Sequence, residues 1–140
     1  MDFYKLDESR EFGKIYQEMM WIWEWQDFHD YLKKYSAVSR NVDNQSKMVS
    51  FFLHYDGLGV QAKAGLLNIE NIYDLYSTRL TPLWEKFAPI IYEFRRIAGS
   101  PQLYEHFEWL SDELRKMQVS REQGFATKVL QEMIDDNTNP

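Results

Sequence analysis

The chain contains no cysteine, which removes disulfides, thiolate nucleophiles and cysteine-ligated zinc or iron–sulfur sites. Proline and glycine are sparse, four and six in 140 residues, so obligatory breaks are few and no linker or low-complexity tract divides the chain. Basic residues are outnumbered, 16 Lys and Arg against 22 Asp and Glu. The resulting charge of −6 repels a phosphate backbone, and nucleic acid is not an expected partner. Long apolar runs are missing too. The densest, residues 19–25, contains Glu24 and falls far short of the ~20 residues that span a bilayer, so no transmembrane segment is expected. The opening MDFYKLDE has neither the basic start nor the apolar centre of a secretory signal. With the absent cysteine, this predicts a cytoplasmic protein.

What is abundant is aromatic: nine Phe, nine Tyr and five Trp, within a chain that is 44% hydrophobic. A chain of this length can bury roughly two-thirds of its unfolded surface around one core. The expected organisation is a single helical domain over residues 1–134 and a frayed tail over 135–140.

Apolar periodicity predicts an all-α fold, a small bundle of four to five helices. Over residues 9–35, acidic Asp7, Glu8 and Glu11 precede and Lys33 and Lys34 follow, which suits a helix dipole. At 100° per residue Phe12, Ile15, Tyr16, Met19, Ile22 and Trp23 share one face, whereas Trp21, Trp25, Phe28, Tyr31, Leu32 and Tyr35 lie nearly opposite. Either the helix breaks near Glu24, or one rod meets different neighbours at its two ends. Asp43 is a plausible cap for a second helix reaching about Ala64, with Met48, Phe51, Phe52, Tyr55, Leu58, Ala62 and Leu66 facing inward. Gly57 and Gly59 within it mark close packing, a local break or a tolerated imperfection.

Asn68 caps a third helix, flanked by Leu67 and Ile72 at hydrophobic-staple spacing. The series Ile72, Tyr76, Leu80, Leu83, Phe87, Ile90, Phe94, Ile97 holds the helical period to Gly99, a left-handed stop. Pro82 and Pro89 predict a break at Thr81 and a kink near Pro89. Ser100 and Pro101 read as the start of a fourth helix bearing Leu103, Phe107, Leu110, Leu114 and Met117, and the short connection predicts an antiparallel hairpin of helices three and four. Ser120 with Gln123 reads as a capping box for a last short helix carrying Phe125, Val129, Leu130, Met133 and Ile134.

Chemistry-bearing constellations are thin. His29, His54 and His106 are the only ordinary proton carriers near neutral pH, and none follows a glutamate at the three-residue spacing of a di-iron bundle; no metal or cofactor is expected. Glu105, His106 and Glu108 fan too widely around a helix to share one ion. Arg95 and Arg96 could grip a phosphate or carboxylate, but they fall where cations stabilise the carbonyl end of a helix. There is neither a Gly-x-Ser-x-Gly elbow nor a phosphate loop. The aromatic surplus is more informative: Trp21, Trp25 and Trp109 project away from their helices' main stripes, which predicts a second buried surface.

The stretch 72–116, with Leu83-Trp84-Glu85-Lys86-Phe87, Pro89-Ile90-Ile91, Arg95-Arg96, Pro101, Tyr104 and Phe107-Glu108-Trp109-Leu110, resembles a prokaryotic all-helical family catalogued as a domain of unknown function. Trp109 stands where that family more usually has tyrosine. Members often carry an N-terminal membrane helix, and no such segment is expected here. The resemblance implies a helical fold and no particular activity.

Together these features point to a non-catalytic protein-interaction or regulatory module. It would associate with itself or another protein through Trp21, Trp25 and Trp109. The alternatives are an enzyme or small-ligand binder using His54 or His106 in an inter-helix pocket, and peripheral membrane contact through residues 19–25.

Overall fold

Ser9 accepts a hydrogen bond from the Phe12 N–H (3.1 Å) and so starts α1 (Arg10–Gln17). In the computed structural model, which describes residues 9–138, four further α-helices follow: α2 (Phe28–Tyr35), α3 (Val42–Lys63), α4 (Ile69–Ala98) and α5 (Glu105–Thr138). No strand occurs among the described residues. Asp7 and Glu8, expected to favour the start of the first helix, lie outside them, as do residues 139 and 140.

The change of stripe within residues 9–35 corresponds to a true break. The last turn of α1 widens into a π-helical turn, Glu18–Ile22, closed by the Trp23 N–H donating to the Glu18 carbonyl at 3.0 Å. The wider turn carries Met19 and then Trp23 into the core, while Ile22, expected inside, is 71% exposed. After residues 23–27, Asp27 caps α2 by accepting from the Asp30 N–H. The cap of α3 is displaced from expectation: Asn41 holds that position, and Asp43 sits inside the first turn paired with Lys47.

The third predicted helix survives both of its prolines. α4 is continuous from Ile69 to Ala98, so the expected break at Thr81 does not occur. Leu80, Thr81, Leu83 and Trp84 around Pro82, and Phe87, Ala88, Ile90 and Ile91 around Pro89, are all buried. Packing on both sides holds the helix against the loss of one backbone bond per proline. Its ends follow the local signals: the Asn68 side chain accepts from the Glu70 and Asn71 N–H groups, and Gly99 takes a left-handed φ of 61°.

The fourth helix starts later than Ser100 and Pro101 suggest. Residues 101–104 form a turn, with Tyr104 at φ 55°, and α5 opens at Glu105. Its free amides are met from another helix: Asp56 of α3 accepts from the His106 and Phe107 N–H groups at 3.0 and 2.9 Å through a single carboxylate oxygen. That approach explains one of the paired glycines. A Cβ on Gly59 would stand 2.2 Å from the His106 carbonyl oxygen, so only glycine lets the start of α5 lie against α3.

α4 and α5 form the expected antiparallel hairpin, and cross-links run down it in opposite chain directions. Arg95 meets Glu108, Glu85 meets Arg115, and Asp74 and Glu70 meet Arg121. The separate final helix read from Ser120 and Gln123 is absent, because nothing there interrupts the backbone ladder and α5 runs unbroken to Thr138. Asp135–Thr138, read as part of a tail, belong to this helix. Since Glu70, in the first turn of α4, is already level with Arg121, the rest of α5 overshoots its partner.

The core lies between α3, α4 and α5, and α1 and α2 cover its remaining side, from Tyr16 on the Arg79 carbonyl of α4 to Phe28 on the Phe94 ring. Phe51, Phe52, Tyr55 and Leu58 meet Leu83, Phe87, Phe107 and Leu110 there, and all are essentially inaccessible. Phe12 stacks on Phe51 with ring centroids 3.8 Å apart, which ties α1 to α3.

Candidate functional site

A cleft of about 590 Å³ opens where α1 ends, lined by Met20, Trp21, Trp23, Glu24, Trp25 and Lys86. Its geometry follows from the unsatisfied carbonyls that every helix C-terminus leaves. Lys86 of α4 donates to three of them: Met19 O at 2.7 Å, Met20 O at 2.9 Å and Trp23 O at 2.7 Å. The three hydrogens of one ammonium are thereby matched by three acceptors, and its positive charge sits at the negative end of α1. The Lys86 ammonium also lies 5.3 Å from the Trp25 ring centroid. Burial pushes Lys86 below the ordinary lysine value, opposed by the Glu24 charge. A lysine so occupied cannot serve as a nucleophile or base without opening the end of α1.

The three tryptophans read as interface candidates have different surroundings. Trp21 is 72% exposed at the rim of the cleft, next to Ile22. Trp25 is half-buried by its own chain, edge-on to Tyr31 at 5.0 Å and tilted against Phe87 at 5.2 Å. Trp109 stands elsewhere, on α5, half-buried with the Lys63 ammonium of α3 5.6 Å from its ring. Trp21 and Trp25 thus share one cleft, and Trp109 is not among its lining residues.

The histidines are dispersed. His29 is exposed on α2. His54 is buried on α3, its ring edge-on to Phe12 at 5.2 Å and tilted against Tyr55 at 5.1 Å. His106 opens α5, half-buried, with its ring Nε2 3.9 Å from the Glu105 carboxylate. A second cleft, lined by Glu11, Lys14, Ile15, Glu18, Asp43, Ser46, Lys47 and Ser50, holds no histidine either. No group of three or more metal-binding side chains converges among the described residues.

The two arginines at the end of α4 also have partners. Arg95 donates from Nε to the Leu103 carbonyl at 2.8 Å and from a terminal nitrogen to Glu108 at 2.9 Å, clasping the turn between α4 and α5. Arg96 pairs with Glu93. In Leu83-Trp84-Glu85-Lys86-Phe87, Leu83, Trp84 and Phe87 are buried, Glu85 reaches Arg115 of α5 and Lys86 closes α1. This segment binds α4 to its neighbours.

Sequence reasoning missed Lys86 and Asp56. A signal for the first existed: at 100° per residue Lys86 lies only about 40° from the azimuth of Ile72 and Ile90, a lone cation inside a core stripe. Asp56 carried no comparable signal, since its partners are backbone amides 50 and 51 residues away.

No helix among the described residues is long and apolar enough to cross a membrane. No curated protein and no solved structure gives a significant match to the chain. A domain family of unknown function, DUF4760, matches residues 2–114, and the chain belongs to it.

Proposed function

We propose that this protein is a non-catalytic interaction module that binds another protein chain through the surface around Trp21. The observation that carries this reading is the adjacent pair Trp21 and Ile22, 72% and 71% exposed, at the rim of a cleft whose floor is already tied down by Lys86. Large aromatic side chains held on a fixed backbone lose little entropy on binding and are enriched where interfaces draw their energy. The polar groups best placed for chemistry have structural tasks instead: Lys86 closes α1, Asp56 caps α5 and Arg95 clasps the turn before α5. The scattered histidines give the enzyme reading no constellation to build on. Glu24, the acid that lines the cleft beside Trp21, favours a protein partner over an anionic lipid surface.

The test is capture of partners from the native host by the wild-type chain and by a Trp21→Ala, Ile22→Ala variant, with quantitative identification of what is retained. Both side chains are exposed, so the variant should fold normally. The reading expects one or a few proteins present in near-stoichiometric amount with the wild type and lost with the variant. An identical retained set from both would reject it.

A further inference from the structure

The exposed pair Trp21 and Ile22 depends on a turn that is wider than an α-helix. In an uninterrupted helix Ile22, three residues after the buried Met19, would share its inward face. Instead Ile22 lies in solvent beside Trp21, while Met19 and Trp23 are both buried. The π-helical turn Glu18–Ile22 makes the difference. It holds one more residue than an α-turn, so each later side chain lags behind its α-helical azimuth.

The backbone pairing shows what holds the wide turn open. A continuing α-helix would bond the Trp23 N–H to the Met19 carbonyl and the Glu24 N–H to the Met20 carbonyl. Here the Trp23 N–H donates to the Glu18 carbonyl and the Glu24 N–H to the Tyr35 hydroxyl, both at 3.0 Å. The two carbonyls passed over, those of Met19 and Met20, are the ones that the Lys86 ammonium takes, at 2.7 and 2.9 Å. Its third acceptor, the Trp23 carbonyl, belongs to the first residue beyond the turn.

We propose that Lys86 sets the register of this turn: its ammonium holds residues 18–23 in the wide register that brings Ile22 out beside Trp21, and without it the segment returns to an α-helical register with Ile22 facing in. The proposal deepens the interaction reading by naming the residue that shapes the binding surface. It rests on that reading only for the use to which the surface is put.

The two registers are close enough in bonding for one side chain to decide between them. The α-helical register gives the Met19 and Met20 carbonyls backbone partners and the Ile22 side chain apolar cover, but it draws the Trp23 N–H off Glu18 and the Glu24 N–H off Tyr35. Charge-assisted hydrogen bonds from Lys86 are available only where carbonyls are left without an amide, which is the wide register. This makes residues 18–23 a two-state element, and a partner that grips Trp21 and Ile22 together binds one of its states.

The chain's lack of cysteine allows the register to be read directly, from the rate at which a single introduced thiol reacts with dithiobisnitrobenzoate. In the otherwise wild-type chain, Ile22→Cys and Trp21→Cys should both react as exposed thiols. Adding Lys86→Met should slow the reaction at position 22 roughly tenfold, as when the wide register falls to about 10% of molecules, and leave position 21 unchanged. Lys86→Arg, which keeps the charge, should restore the rate at position 22 in part. Scalar couplings across hydrogen bonds should show the Trp23 N–H moving from the Glu18 carbonyl to that of Met19 in Lys86→Met.

Unchanged rates at both positions, or a Trp23 N–H still coupled to Glu18, overturn the proposal, because the turn then keeps its register without the ammonium. Faster reaction at both positions overturns it as well, since the end of α1 has then unfolded and Lys86 only closes it. Either result leaves the Trp21 surface to be judged by the capture experiment. Absence of any Trp21-dependent partner there would reject the interaction reading and leave the register, which is measured on the chain alone, standing.

Discussion

Replacing Lys86 with methionine tests whether one ammonium closes the end of α1. Methionine keeps the length and apolar bulk of the side chain and deletes the charge, so the Met19, Met20 and Trp23 carbonyls lose their common donor. Leaving a buried acceptor unpaired costs about 1–3 kcal/mol, but these carbonyls border an open cleft that water can enter, and methionine is spared the dehydration of an ammonium. Discounting for both, the expected destabilisation is about 2–4 kcal/mol in total. Urea unfolding followed by dichroism should show a lower midpoint at unchanged slope, the signature of lost stability with the same surface buried. Lys86→Arg should recover only part of the loss, because a planar fork cannot direct three donors at three acceptors gathered around one point. A change below about 0.5 kcal/mol for the methionine variant would mean that solvent already satisfies those carbonyls, and the account of the α1 terminus would be wrong.

Three further outcomes follow from the packing. Gly59→Ala should cost about 2–4 kcal/mol despite alanine's better helix propensity, because its Cβ would overlap the His106 carbonyl, while Gly124→Ala, with nothing within 4 Å, should raise helicity; calorimetry and dichroism distinguish the two. Asp56→Ala should lower stability by about 1–2 kcal/mol and speed amide exchange at His106 and Phe107, and unchanged exchange there would refute the cap. Tyr31 is held above its ordinary phenol value of 10.0, first by burial and then by Tyr35 and Tyr104, and its hydroxyl donates to the Met48 sulfur. The folded state therefore keeps a proton that the unfolded chain gives up, so the stability is present below pH 10 and is lost as pH rises beyond it. Tyr31→Phe should flatten the alkaline fall in unfolding free energy.

Local chemistry was legible in the sequence where the deciding contacts are local. Asn68 and Gly99 end α4 through groups within five residues of themselves, and both ends were read correctly. The inward faces of α3 and α4 were legible because burial repeats with the helical period, though Leu66 is exposed because α3 has already ended at Lys63, and Ile97 is exposed in the last turn of α4. Misreadings arose where a distant group decides. Ser100 and Pro101 carry a good local start signal, yet α5 begins at Glu105 because the waiting carboxylate of Asp56 is there. The break after α1 showed as a change of stripe, but Lys86, more than 60 residues on, supplies the donors that close it.

The candidate site was legible only in part, for a related reason. Azimuth on a helix shows that Trp21, Trp25 and Trp109 point away from their own stripes; it does not show which segment covers them. Tyr31 and Phe87 shield Trp25, Lys63 lies over Trp109, and Trp21 alone of the three is left largely in solvent. The capping box at Ser120 obscured the length of α5, and with it the overshoot that exposes Phe125 to Ile134. Serine favours a helix start but is tolerated inside one when its neighbours continue the backbone ladder, as they do here.

Amide hydrogen exchange, read residue by residue for the chain alone and after incubation with native-host extract, tests most directly that the surface around Trp21 is covered by another protein chain. Amides of residues 18–27 should become protected by the extract in the wild type and not in the Trp21→Ala, Ile22→Ala variant, while those of α3 and the hairpin core stay unchanged. Exchange over 18–27 that is equally rapid with and without the extract would contradict it.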